Sequence, residues 1–313
     1  MAGKVITNKK VVFVVGPTAV GKTHYGICIA RRFGGEVVSA DSMQIYKGFE
    51  IGTGAATKDE MGHIKHHMIG NIDPLEQYSV AQYQKDAKTI IKSLLSRKTL
   101  PVVVGGTGLY INSLTHDLDF SSPGGNPEIR QKLSAEYDKL GAQYMYEQLT
   151  KLNPAVAKNV HPNDKRRVIR NLEVIRSREK RITHNFNRFN PDYECIIVGL
   201  MLERATLKKR ISLRVDQMIE EGLEEEVLRL VKKYGPNEPC FQAIGYKEFI
   251  PYFLGQQDLD TTIAQIKQRT AQYAKRQMTW FKRDNRIKWF NVANRYALQD
   301  TIAYVKSRFI TSL

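Results

Sequence analysis

Cysteine is scarce: the 313 residues contain three, Cys28, Cys195 and Cys240, far apart and without a CxxC pair. That spacing argues against a disulfide framework or a cysteine zinc site and fits a reducing compartment. Long apolar runs are lacking as well. No stretch approaches the eighteen or so residues of a membrane span, and the N-terminus has no signal-peptide apolar core. A cytoplasmic protein with no membrane partner is expected. Acidic residues are in deficit, 32 Asp and Glu against 48 Lys and Arg, which leaves a formal charge of +16. Such a balance suits a protein that meets polyanions. There is no internal repeat or low-complexity tract. The length allows one large domain or two.

The stretch with a mechanism attached is Gly16-Pro17-Thr18-Ala19-Val20-Gly21-Lys22-Thr23, a GxxxxGKT P-loop directly after the apolar run Val11 to Val15. Its glycines let backbone N–H groups turn inward on phosphate oxygens, the lysine adds a point charge, and the Thr23 hydroxyl is placed to ligate Mg²⁺. A helix starting at Lys22 or Thr23 turns its positive end on the same anion. His24 to Phe33 reads as that helix, so strand, loop and helix follow in the required order.

A second strand, Glu36 to Ser39, ends in Ala40-Asp41-Ser42-Met43-Gln44. An acid at the carboxyl end of a strand beside a P-loop lies where open α/β sheets put their chemistry, so Asp41 is a catalytic candidate, with a helix N-cap or an outer Mg²⁺ contact as the equal alternative. The segment Gly48 to Asp73 reads as a loop whose His63, His66 and His67 hydrogen-bond or meet a ligand, with a metal site the lesser alternative because there is no nearby cysteine and no helical HxxxH pair. Ser79 and Gln82 form a capping box for a helix to about Arg97. The apolar run Pro101 to Val104 reads as a strand buried on both faces. It ends in Gly105-Gly106-Thr107-Gly108, with no Walker B acid, which counts against nucleotide hydrolysis.

From about Asp119 the character changes. Ser121 to Gly125 reads as a linker, and helices broken near Gly141 and Asn153-Pro154 follow, giving a helical insertion over 120–191 between core segments 1–119 and 192–313. From Lys158 to Arg188 there are ten Lys or Arg against three acids, with Lys165, Arg166, Arg167 and Arg170 on one helix. A solvated face usually mixes its signs. Cys195 to Leu202 reads as a returning strand, Arg210 and Arg214 share a helix face, and Glu224 to Glu226 read as a solvated acidic patch. Lys267 to Lys288 carries eight basic residues against one acid, with Tyr273, Trp280 and Phe281 among them. That pattern suits stacked bases and paired phosphates, or equally a basic helix with a core face.

Together these features resemble the bacterial-type tRNA dimethylallyltransferases. The matching stretches are GPTAVGKT (16–23), SADSMQIYKGFEIGTG (39–54), HHMIGNIDP (66–74), GGTGLY (105–110), HPNDKRRVIRNLEV (161–174), RISLRVDQMIEEGL (210–223), QAIGYKE (242–248) and YAKRQMTWFKR (273–283). The resemblance implies an α/β, P-loop-type parallel sheet with a helical insertion. It implies transfer of a dimethylallyl group from dimethylallyl diphosphate to N6 of the tRNA adenosine at position 37, with diphosphate leaving. A departing diphosphate needs charge stabilisation but no hydrolytic water, which accounts for a P-loop without a Walker B acid.

By the same resemblance Asp41 is the general base, Thr107 lines the site, and Lys22, Thr23 with Mg²⁺ and Arg214 stabilise the leaving group, with Arg210 a weaker candidate. The implied contacts to the tRNA anticodon stem-loop are Asp41, Ser42, Met43, Gln44, Thr107, Arg130, Arg166, Arg167, Arg170, Gln242, Gly245, Tyr246, Lys247, Lys275, Arg276 and Gln277. The chain departs from the family at Ala271 and Lys282, where arginine is common. Eukaryotic members add a C-terminal zinc finger; with no cysteine after Cys240 these residues resemble the bacterial type. A monomer is expected. The rival readings are a small-metabolite P-loop kinase, a prenyltransferase of free adenine nucleotide, and a non-catalytic RNA-binding protein.

Overall fold

The computed structural model describes residues 9–118, 120, 126–177 and 188–310, so the linker expected at 121–125 lies outside the described residues. In chain order the elements are β1 (Lys10–Val15), α1 (Lys22–Phe33), β2 (Gly35–Ser39), α2 (Lys58–Met61), β3 (His66–His67), α3 (Val80–Ser96), β4 (Leu100–Gly105) and α4 (Gly108–Thr115). Then come α5 (Pro127–Leu152), α6 (Pro154–Ala157), α7 (Lys165–Arg176), β5 (Glu194–Met201), α8 (Arg204–Glu220), α9 (Leu223–Tyr234), α10 (Phe249–Phe253), α11 (Leu259–Phe281), β6 (Lys288–Asn291) and α12 (Ala297–Ile310). The chain divides into two compact units, Met1–His116 with Phe189–Leu313, and Asp117–Arg188. The cuts fall three residues before the 120 and 192 expected from composition.

In the first unit all six strands pair in parallel, in the order β3-β2-β4-β1-β5-β6. The β-branched run of β1 explains its central place: Val11, Phe13 and Val15 enter one hydrophobic core while Val12 and Val14 enter the other. A strand with no solvent face must be covered by helices on both sides. Because β2, β4 and β1 are neighbours, the loops that leave their carboxyl ends converge. Those loops are the P-loop, the Asp41 turn and the Gly105-to-Thr107 segment. The Ser79–Gln82 capping box forms in both directions at the start of α3, and the two hydrogen bonds fix that helix end.

Two strands escaped the sequence reading. The pair His66–His67, in the segment read as a loop, adds a short edge beside β2, and Lys288–Asn291 adds the other edge beside β5. Glu226 corrects a further expectation, since it is 5 % exposed and not solvated.

The second unit packs α5, α6 and α7 around Leu133, Met145, Leu149, Val156, Val168, Ile169 and Leu172. Gly141 breaks α5 at φ 86, ψ 166, so this element is two helices end to end. Glu173 of α7 is fully buried and accepts hydrogen bonds from Arg130 (3.2 and 3.0 Å) and Arg170 (3.1 Å).

Candidate active site

The P-loop turns at Gly21, whose φ of 101 is open to glycine and strained for other residues. Ala19 also sits in the left-handed region, at φ 61. Such non-glycine outliers cost free energy and cluster at ligand sites. Lys22 starts α1, and its Nζ donates to the Pro17 carbonyl at 2.7 Å. Burial is the main influence on this amine and lowers its pKa to about 7; nearby Asp41 opposes that shift and Arg214 adds to it. A polyanion in the loop would restore the charge.

Thr18, Ala19, Gly21, Lys22, Thr23, Asp41, Gln44, Thr53, Gly54, Arg214, Tyr273 and Gln277 line one open cleft at this end of the sheet. It therefore gathers Thr18, Ala19, Gly21, Lys22, Thr23, Asp41, Gln44, Arg214 and Gln277 from the sequence-derived candidates. Asp41 Oδ1 accepts the Met43 N–H at 2.9 Å and the Gln44 N–H at 3.4 Å. These bonds cap a turn and not the helix foreseen as the alternative, since the next helix after Asp41 starts at Lys58, and the same side chain lines the cleft. Thr107 Oγ1 accepts the Ser42 N–H at 3.1 Å and ties the Asp41 turn to the start of α4. Ser42 and Met43 are half-buried beside it.

Arg214 reaches the cleft from α8 and donates to the Gly54 carbonyl at 3.3 Å. Burial lowers its pKa, against the pull of Asp41. Arg210, one turn earlier, is exposed and does not line the cleft. Gly54 is constrained twice over: its φ is +57, and a Cβ would stand 1.6 Å from Arg214 Nη2.

Several residues do other work than the sequence suggested. Gln277 is buried; its Oε1 accepts the Thr18 N–H at 2.8 Å and its Nε2 donates to the Gly106 carbonyl at 2.9 Å. It braces the P-loop against the loop after β4. Tyr246 is fully buried, its hydroxyl donating to Glu226 at 2.6 Å and its ring 4.6 Å from Phe49. Gly245 is also buried, its N–H held by Glu248 at 2.8 Å. Both are buried in this structure. Arg166, Arg167, Gln242, Lys275 and Arg276 are exposed, and Lys247 and Arg170 are half-buried. Arg130 is exposed with its guanidinium on Glu173. Ala271 packs against a core cluster and Lys282 is exposed.

Sequence reasoning missed Glu226. Its carboxylate accepts backbone N–H groups of Glu50 (3.1 Å), Ile51 (2.9 Å) and Gly52 (3.2 Å), fixing the loop that carries Thr53 and Gly54 into the cleft. Its signal lay in the periodicity: Leu223, Glu226, Val227 and Leu230 share the buried face of α9. Tyr273 was seen only as one aromatic among charges. It lines the cleft, its hydroxyl pKa pushed up to about 12 by burial and then by Asp41, against hydrogen bonds to Thr107 and Gln277.

The histidines do not cluster as metal ligands: His67 pairs with Glu36 at 2.7 Å, His66 bonds the Ile64 carbonyl, and His63 is exposed. The described residues hold no group of three or more His, Cys, Asp or Glu that could bind a metal ion. None of their helices is long and apolar enough to cross a membrane.

Residues 44–284 match the sequence profile of the IPP transferase family. A tRNA dimethylallyltransferase of Caldanaerobacter subterraneus is 47% identical over 292 residues, covering 90% of this chain and 92% of that protein. The tRNA dimethylallyltransferase of Bacillus cytotoxicus is 39% identical over 303 residues, covering 96% of each chain. Among solved structures, the full-length tRNA isopentenylpyrophosphate transferase of Bacillus halodurans is similar with a TM-score of 0.74 at 38% identity, over 97% of this chain and 98% of that one. A eukaryotic dimethylallyltransferase captured acting on tRNA is similar at 0.78 and 28% identity, over 97% of this chain and 80% of its own.

Proposed function

The chain belongs to the tRNA dimethylallyltransferase family, and from that premise we propose that its cleft moves a dimethylallyl group from dimethylallyl diphosphate to N6 of the adenosine at tRNA position 37, releasing diphosphate. The observation that carries this reading is the meeting of a P-loop and the Asp41 carboxylate in one cleft, with glycine and not an acid at the end of β4. A phosphate cradle beside a base, without a Walker B acid, suits departure of diphosphate better than attack of water on it.

In the proposed step the N6 lone pair attacks the allylic carbon, and the carbon–oxygen bond breaks with its electrons on diphosphate. The N6 proton passes to Asp41. Lys22, Arg214 and the P-loop N–H groups face the charge that accumulates on the leaving group, where fixed donors contribute most. The adenosine must leave its loop stack for N6 to reach the carboxylate, with Thr107 beside it.

Magnesium fits the donor set. The ion commonly keeps several waters and uses one or two protein ligands plus substrate phosphates, so the Thr23 hydroxyl with the diphosphate suffices and no carboxylate cage is needed. When bound it neutralises charge on the departing group. Arg166, Arg167, Lys275 and Arg276 are the exposed cations proposed to meet tRNA phosphates.

The test is incubation with labelled dimethylallyl diphosphate, Mg²⁺ and either unmodified tRNA or AMP, followed by nucleoside analysis. Label on N6 of tRNA adenosine, and none on AMP, is the expected result. Transfer to AMP alone, or ATP turnover without prenyl transfer, would overturn the reading.

A further inference from the structure

Among the described residues, His66 Nε2 is the buried side-chain polar atom with no hydrogen-bond partner. Buried polar atoms are almost always satisfied, and an exception in a native site points to water or ligand. The ring's other nitrogen lies 2.9 Å from the Ile64 carbonyl. A carbonyl only accepts, so Nδ1 carries the proton, and in the neutral ring Nε2 is left as a lone-pair acceptor. Burial lowers the pKa of this histidine and favours that neutral form.

His66 belongs to the lining of a small, partly open pocket with about 20 Å³ of space for water, formed with Thr23, Val37, Ser39, Gln44, Ala56, Ile69 and Val104. One water needs roughly 10–15 Å³ of such space and two to four polar partners, so the pocket has room for one. Two of the polar lining groups already spend their protons on protein acceptors. Ser39 Oγ donates to Gln44 Oε1 at 3.0 Å, and Gln44 Nε2 donates to the Thr53 and Gly54 carbonyls at 3.3 and 3.4 Å. Thr23 is the remaining lining hydroxyl, and it also lines the phosphate cleft.

We infer that His66 is a positioning residue that holds a water in this cavity and through it orients the Thr23 hydroxyl. The polarity of the chain follows from the tautomer: Nε2 can only accept, so the water donates to it and accepts the Thr23 O–H. The Thr23 lone pairs are thereby turned toward the cleft, which is the orientation a hydroxyl needs to ligate a cation on diphosphate. Partners one step removed from a ligand typically alter metal affinity 10- to 100-fold when removed.

This inference rests on the diphosphate reading of the cleft, and the test separates the two. Calorimetry measures pyrophosphate binding with and without Mg²⁺ for the wild type, His66→Phe and His66→Gln, with thermal unfolding as a fold control. Phenylalanine keeps a ring and loses the acceptor; glutamine returns an acceptor near the Nε2 position.

The expected result for His66→Phe is about tenfold weaker binding with Mg²⁺ and unchanged binding without it, and His66→Gln regains most of the loss. Equal loss with and without Mg²⁺, no loss at all, or no recovery in a folded His66→Gln would overturn the role of His66. A wild type that binds no pyrophosphate would instead overturn the diphosphate site itself. Crystals diffracting to high resolution supply a second arm: a water between His66 Nε2 and Thr23 is expected, and a dry cavity contradicts the inference.

Discussion

Lys22 is the cleft residue whose charge is most at the mercy of its surroundings. Burial brings its pKa down from 10.5 to about 7. The sign is clear: an amine with a lowered pKa binds fewer protons when folded than when unfolded between these two values, so its burial costs stability that is recovered as pH rises through that window. Diphosphate reverses the shift, since an anion favours the ammonium form. Pyrophosphate binding at pH 8, measured by calorimetry in buffers of different ionisation enthalpy, should therefore take up a proton in the wild type that Lys22→Met does not take up. Equal proton counts in the two proteins would remove Lys22 from the anion site. The P-loop itself was legible because its chemistry is local, a glycine turn and two side chains in a fixed spacing. Glu226, Gln277 and Glu173 were not, because their roles depend on partners 171 to 259 residues away, as for Glu226 and Gln277, or on another helix, as for Glu173. Each nonetheless shares a buried helix face with apolar neighbours. A polar residue on an apolar face must find a partner, and that pattern is readable.

Among the elements, the loop 50–54 has the most exacting requirements. Glu226 holds its backbone, and Gly54 gives Arg214 its room. Gly54→Ala puts a methyl where the guanidinium lies and forces a left-handed alanine, which costs roughly 1–2 kcal/mol. The fold should survive with a modestly lower melting temperature while prenyl transfer falls as far as in Arg214→Ala. The double variant should then show little further loss, because both changes remove one group. Multiplying losses in single-turnover rates would separate Gly54 from Arg214. Elements that bury both faces were readable to within a residue or two: the run Val11 to Val15 became Lys10–Val15, and Pro101 to Val104 became Leu100–Gly105. The sheet edges were not. A strand of two residues, His66–His67, has no periodicity to detect, and its existence depends on pairing with β2.

For the molecule as a whole the governing feature is the charge of +16, which draws polyanions at long range and fades with salt. The sequence concentrates this charge in 158–188 and 267–288, and the structure sorts the part carried by α7. Arg130 and Arg170 hold the buried Glu173, so removing either would leave a carboxylate short of a partner and confuse loss of fold with loss of binding. Arg166 and Arg167 are exposed and make the cleaner pair. Changing both to alanine should reduce the slope of log affinity for tRNA against log salt by roughly one for each phosphate no longer neutralised, while pyrophosphate affinity stays the same. An unchanged slope would take these two arginines out of the tRNA interface.

The central claim is that the Asp41 carboxylate accepts the proton from the attacking amine. Asp41→Asn retains the side-chain oxygen that caps Met43 and Gln44 and cannot act as the base. Single-turnover prenyl transfer with saturating tRNA should then slow by about 10² to 10⁴, the usual contribution of a positioned base, with pyrophosphate affinity preserved. A rate within about threefold of wild type, the behaviour of a residue that only caps a turn, would contradict the account.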